Sequence, residues 1–296
     1  MNKNANIECV FSKSYNISYN DDYFCCVGLG ANLYNKSNGE SVIRFKGIPK
    51  PACSGFTSDK LVVKGEGKHY IYDLKSMELE KVIPLPRKDH GSITDFALTS
   101  DGRYIIDSSC VDFPTNRIRI IDIKTGENTF IDANLSGSIK ILETENDSVF
   151  YIVRCCLEDY GTARVIKREF FELIYDSGKF ELKKMFERNG DAGCVTYCGG
   201  RFALEDYNKI TVIDIQNNVV NEFCCDEFLL HLCDLKLSSD GRYAALAQSK
   251  KISIYDMVEK KWVKSYDVEY GCFVDFFDED KLLIGTWQKG YCVRWK

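Results

Sequence analysis

Short apolar runs and polar clusters alternate along this chain at a nearly constant interval. A turn rich in Asp, Asn, Gly or Ser is followed by a large apolar pair seven times. The first apolar residues are Tyr23, Leu61, Tyr104, Val149, Phe202, Tyr243 and Leu282, separated by 38, 43, 45, 53, 41 and 39 positions. A period of about 40 to 45 residues is that of a four-stranded propeller blade. A second register follows the first: each hairpin leads into a β-rich run ending in a large apolar residue plus a polar one, at Tyr34-Asn35, Tyr72-Asp73, Ile121-Asp122, Tyr175-Asp176, Ile213-Asp214, Tyr255-Asp256 and Trp295-Lys296. Room for two further strands remains before the next turn, as in 41–45 or 80–85. No stretch of ten residues carries a helical apolar stripe, and the five prolines fall between strands or on outer strands, where a missing donor is tolerated. The pattern predicts an all-β fold: a seven-bladed β-propeller of four-stranded antiparallel blades.

The seventh blade runs out early, because the chain ends after the run Tyr291 to Trp295. An open blade would leave an unpaired sheet edge. The alternating run Ile7-Glu8-Cys9-Val10-Phe11 is therefore predicted to be the missing outer strand. Residues 7–11 would close the propeller, and residues 1–296 would form a single domain.

Two repeats carry a family resemblance most clearly: Ser100-Asp101-Gly102-Arg103-Tyr104 with Ile120-Ile121-Asp122, and Ser239-Asp240-Gly241-Arg242-Tyr243 with Ile254-Tyr255-Asp256. Over essentially its whole length the chain resembles a divergent WD40-type (WD40/YVTN-like) seven-bladed propeller. No blade has the Trp-Asp dipeptide, and the Gly-His signature is reduced to Asp89-His90-Gly91. The resemblance implies a relative near the quinoprotein-like and lactonase-like propellers.

Composition narrows the function classes. The 296 residues are 45% hydrophobic and 28% charged with net charge -5, which describes a soluble globular chain without the basic surplus of a nucleic-acid binder. No apolar run approaches the roughly 20 residues of a membrane span, and Met1 to Ile7 is polar, so a cytoplasmic monomer is expected. Fourteen cysteines in so long a chain read as reduced thiols. The vicinal pairs Cys25-Cys26, Cys155-Cys156 and Cys224-Cys225 lie in strand-like runs whose successive side chains diverge, so each sulfur acts as a small hydrophobe. Cys194 and Cys198 form a lone C-x3-C, and His69, His90 and His231 are scattered, so no metal and no cofactor is expected.

Catalytic motifs are few. There is no Gly-x-Ser-x-Gly elbow, phosphate loop or His-Glu-x-x-His, and Gly28-Leu29-Gly30 reads as a tight inter-strand turn. His90, His231 and Arg164 are the residues a lactonase-like hydrolase would draw on. Aligning the inner strands puts Asp95, Asp234 and Asp275 at one place in the third, sixth and seventh blades, with Asn16, Ser54 and Lys140 as looser counterparts. Such aspartates either attract a Lys or Arg side chain of a peptide, or a cation, at the channel mouth, or hydrogen-bond backbone amides. Loops joining second and third strands carry Phe113, Tyr160, Tyr207 and Trp287, each either a partner anchor or a ring folded onto its own blade. The reading is a non-enzymatic scaffold that binds a protein or peptide partner on its loop face and channel mouth. The alternatives are a lactonase-like hydrolase and a small-ligand or sugar binder.

Overall fold

The computed structural model describes residues 6–86, 96–112, 115–160, 163–190, 193–206, 209–224 and 232–296; for 109–112, 115–116, 132–136, 157–160 and 163–165 it describes the backbone alone. Among these residues the chain forms strands, turns and bends, and no helix is long and apolar enough to cross a membrane.

Seven four-stranded antiparallel sheets form the blades of the propeller. The first holds β2 (Asn16–Tyr19), β3 (Tyr23–Val27), β4 (Ala31–Asn35) and β5 (Ser41–Phe45), and the second holds β6 (Cys53–Phe56), β7 (Lys60–Gly65), β8 (Lys68–Asp73) and β9 (Leu79–Pro84). In the third are β10 (Phe96–Leu98), β11 (Tyr104–Asp112), β12 (Thr115–Asp122) and β13 (Asn128–Ser136). The fourth has longer strands, β14 (Ser138–Glu143), β15 (Val149–Tyr160), β16 (Ala163–Asp176) and β17 (Lys179–Gly190). The fifth comprises β18 (Val195–Cys198), β19 (Arg201–Asp206), β20 (Lys209–Asp214) and β21 (Val219–Cys224), and the sixth β22 (Leu232–Leu237), β23 (Tyr243–Gln248), β24 (Lys251–Asp256) and β25 (Lys261–Asp267). The seventh runs β26 (Gly271–Phe276), β27 (Lys281–Thr286) and β28 (Lys289–Arg294), and is completed by β1 (Asn6–Ser12), one residue longer at each end than the sequence predicts. That pairing closes the propeller.

The repeated turn has a physical basis. Ser238 Oγ donates to Asp240 Oδ1 at 2.6 Å, the Arg242 amide donates to the same oxygen, and Gly241 takes φ +65°. Thr99, Asp101, Arg103 and Gly102 repeat the arrangement, with Gly102 again at φ +65°. The aspartate ending the third strand of each such blade binds the turn from the other side: Arg242 reaches Asp256 at 2.7 Å, and Arg103 reaches Asp122 at 3.4 Å. Asp256 and Asp122 also accept amides of the turn that follows them. The two sequence registers are thus the two ends of one local hydrogen-bonded unit.

The chain packs as two compact units. One comprises residues 1–17, 38–40 and 191–296; the other comprises 18–37 and 41–190. In the first, Ala245, Ile252, Val274, Leu282 and Val293 form a core against which Tyr243 and Phe276 pack, with Trp295 edge-on to both rings. In the second, Ile106, Ile118, Ile141, Ile152 and Leu173 form one core, while Val62, Ile71, Ile105 and Ile121 form another. Cys25 and Cys26 are fully buried in β3, and burial pushes the Cys25 thiol up to about 12. The twelve cysteines whose side chains are described are free thiols.

Candidate functional site

Trp287 sits in the two-residue hairpin turn between β27 and β28. Thr286, itself buried, builds that turn: its hydroxyl donates to the Lys289 carbonyl at 2.7 Å and accepts the amides of Gln288 and Lys289. The turn leaves the Trp287 ring pointing outward, 59% exposed. Its own amide donates to the carbonyl of Tyr270 at 3.1 Å, which ties the hairpin to the loop entering β26. Tyr270 is 60% exposed and holds φ +57°, a region bulky L-residues rarely adopt. The next residue has to be glycine: a Cβ on Gly271 would lie 2.5 Å from the Gln248 carbonyl oxygen.

The segment leaving β1 completes the surface. Ser14 is fully buried, its amide donates to the Thr286 carbonyl at 3.2 Å, and its own carbonyl lies 2.4 Å from where a Gly285 Cβ would stand. This close packing fixes the flanking residues beside Trp287. The Tyr15 ring lies 6.4 Å from the Trp287 ring, and Lys13 Nζ sits 5.0 Å over its face. Gln288 Nε2 donates to Glu269 Oε2 at 3.0 Å on the same rim. The result is an exposed aromatic face with one cation already seated on it, a surface able to take a flat apolar group or a further cation.

Below it, the ladders correct the inner-strand alignment. Leu237 pairs with Ala244 and Phe276 with Leu282, so Asp275 occupies the ladder position of Lys236, and that of Asp234 is filled by Phe273. Asp234 and Asp275 are therefore two residues out of register, not equivalent. Each strand also has a register shift, between Leu232 and Asp234 and between Gly271 and Phe273, which makes Cys233 and Cys272 the inserted residues. Asp234 accepts the amide of Leu235 at 3.0 Å and that of Val274, on the neighbouring blade, at 3.2 Å. Asp275 lies 3.7 Å from Lys236, their side chains 19% and 33% exposed. Burial pushes the Asp275 carboxyl up, Lys236 opposes this, and the Asp234 carboxylate adds to it. Both carboxylates hold inner strands together.

Of the other sequence candidates, Phe113, Tyr207, Asp95, His90 and His231 lie outside the described residues, as do the side chains of Tyr160 and Arg164. Among the looser counterparts, Ser54 shares a hydrogen bond of 2.7 Å with Ser18, while Asn16 opens β2 and Lys140 lies in β14. The sequence reading missed Tyr270, Tyr15 and Lys13. An aromatic followed by glycine at a blade entry, Tyr270-Gly271, was the available signal for the first.

A second polar constellation spans the second and third blades. Asp107 receives Lys64 Nζ at 2.6 Å and Arg119 Nη2 at 3.0 Å, with His69 Nε2 3.5 Å away, and all four side chains are buried. Burial alone would raise the Asp107 carboxyl, but Lys64, His69 and Arg119 hold it below the ordinary range. Shut off from solvent, the quartet pins blade to blade and offers no substrate a place. Among the described residues no three His, Cys, Asp or Glu side chains are grouped to hold a metal ion.

No family model and no curated protein sequence matches the chain. Among solved structures it is similar to the C-terminal WD40 domain of Sif2, at TM-score 0.64 and 13% identity, covering 98% of each chain. The fold is that of a divergent WD40-type seven-bladed propeller.

Proposed function

We propose that this propeller is a non-enzymatic binding module that holds a protein or peptide partner on the face made by Trp287, Tyr270 and Tyr15. The observation that carries the reading is that two large aromatic residues from different loops are joined by a backbone hydrogen bond and left about 60% exposed, one of them at a strained φ. Strain kept without compensating burial is characteristic of binding positions, and rigid rings on a polar rim are the usual anchors of protein interfaces. Burial of Cys25, Cys26 and Cys53 as small apolar side chains supports a reducing compartment such as the cytoplasm.

The test is affinity capture from native lysate with the wild type and with Trp287→Ala and Tyr270→Ala, followed by titration of the captured partner. Each substitution is expected to weaken binding by roughly 2 kcal/mol, about thirtyfold, with the unfolding midpoint of the Trp287 variant unchanged. A partner indifferent to both substitutions would overturn this assignment.

A further inference from the structure

The ladder between β1 and β28 contains a pair of facing cysteines. Between Ile7 and Cys9 the register shifts by one residue, so Glu8 has no partner on β28 and Cys9 falls opposite Cys292. In an unshifted ladder Cys292 would face Glu8. The inserted residue is held in place by charge: Glu8 pairs with Arg294 at 2.7 Å and with Lys281 at 3.2 Å. Among the described residues this is the one ladder position where cysteine faces cysteine.

Directly opposed residues of an antiparallel pair have Cα atoms about 4.5 to 5.5 Å apart and side chains on one face. That lies inside the span of about 4.4 to 6.8 Å that a disulfide bridges. Each thiol perturbs the acidity of the other, as expected of near neighbours. Cys292 is buried, whereas Cys9 is half-buried and so meets solvent first. The Cys9 sulfur also abuts the chain at Gly39, where a Cβ would lie 2.8 Å from it, so only glycine leaves that sulfur its room.

We infer that Cys9 and Cys292 form a reversible disulfide when the protein meets a hydroperoxide, locking the N-terminal strand covalently onto the last blade. Cys9 is the attacking sulfur because it is half-buried while Cys292 is buried, so a peroxide reaches Cys9 first; the neighbouring Cys292 also holds the Cys9 thiol below its ordinary value. Its thiolate attacks one peroxide oxygen: an S–O bond forms, the O–O bond breaks, and hydroxide leaves with the released thiol proton as water. The Cys292 sulfur then attacks the Cys9 sulfenic acid; the S–S bond forms, the S–O bond breaks, and the departing hydroxide takes the Cys292 proton. Two thiols lose two electrons, and one hydrogen peroxide becomes two waters.

The bond would join residue 9 to residue 292 and enclose nearly the whole chain in one loop, the case in which a cross-link restricts the unfolded state most. The test treats the full chain with a modest excess of hydrogen peroxide, blocks remaining thiols by alkylation, and maps peptides by mass without reductant. A linked peptide joining Cys9 to Cys292 is expected as the main product, with the unfolding midpoint raised by about 5 to 10 °C. Both changes are expected to reverse with dithiothreitol and to be absent from Cys9→Ser. In Cys292→Ala, which lacks the second thiol, Cys9 is expected to proceed to the sulfinic acid. Recovery of Cys9 and Cys292 as unlinked peptides from oxidised wild type overturns the inference, whether or not the variants fold. So does a linked peptide with no rise in midpoint.

Discussion

At φ +57°, Tyr270 stands where a bulky L-residue costs about 1 kcal/mol, and its exposed ring recovers little of that by burial. Tyr270→Gly is therefore expected to raise stability by about 0.5 to 1 kcal/mol while weakening the captured partner. Opposite signs in a melting curve and a binding titration mark a binding residue; a loss of stability would show that the ring is structural instead. His69 gives a second test. Burial drives its imidazole down to about 4, against the pull of Asp107, and neither ring nitrogen makes a hydrogen bond. A histidine depressed in the folded state contributes stability that is fully present above about 6.5 and is lost as pH falls toward 4. The contribution is about 3 kcal/mol in all. His69→Phe leaves no hydrogen bond broken and keeps the edge contact with Phe96. Denaturant unfolding across pH 4 to 6.5 is expected to show this slope in the wild type and its disappearance in the variant, with stability at pH 7 nearly unchanged.

Strands β1 and β28 meet through an exact fit between a ring and a missing side chain. Phe11 is buried against Gly290, where a Cβ would lie only 1.7 Å from the ring. Gly290→Ala is expected to cost about 1 to 3 kcal/mol by overpacking. In a Phe11→Ala background the same substitution is expected to cost much less, because the obstructing ring has gone. Additive losses in that double-mutant cycle would show that the clash is not what the glycine avoids. The apolar alternation of 7–11 was legible, since period-two patterning is local. The bulge that faces Cys9 with Cys292 was not, because a register shift leaves no mark in the pattern of one strand and depends on Arg294 and Lys281 of neighbouring strands holding Glu8.

For the whole molecule, β1 completes the last blade from the opposite end of the chain. Deleting residues 1–13 would uncover the full edge of β28 and with it the donors and acceptors now paired to β1. The truncated protein is expected to melt lower and to associate in a concentration-dependent way, read by calorimetry and light scattering. A monomer of unchanged midpoint would show that closure adds nothing. Lys13, which sits over Trp287, is removed by the same deletion, so binding should be compared with Lys13→Ala alone.

By itself the sequence determined the strand spacing, the blade count and the strand that closes the propeller, because turn chemistry and alternation act within a few residues. Asp101-Gly102-Arg103 and Asp240-Gly241-Arg242 bind their own turns, and therefore announce them. Only the tertiary structure decided which side chains meet. One inserted residue at Cys233 and another at Cys272 accompany the offset of Asp234 from Asp275, and Lys236 faces the latter. Trp287 was visible as an exposed-type aromatic in a turn, but Tyr270, Tyr15 and Lys13 join it through the Thr286, Gly271 and Ser14 backbone contacts between segments far apart in the chain. Such contacts depend on how blades pack, and packing is a property of pairs of elements that no single stretch of sequence encodes.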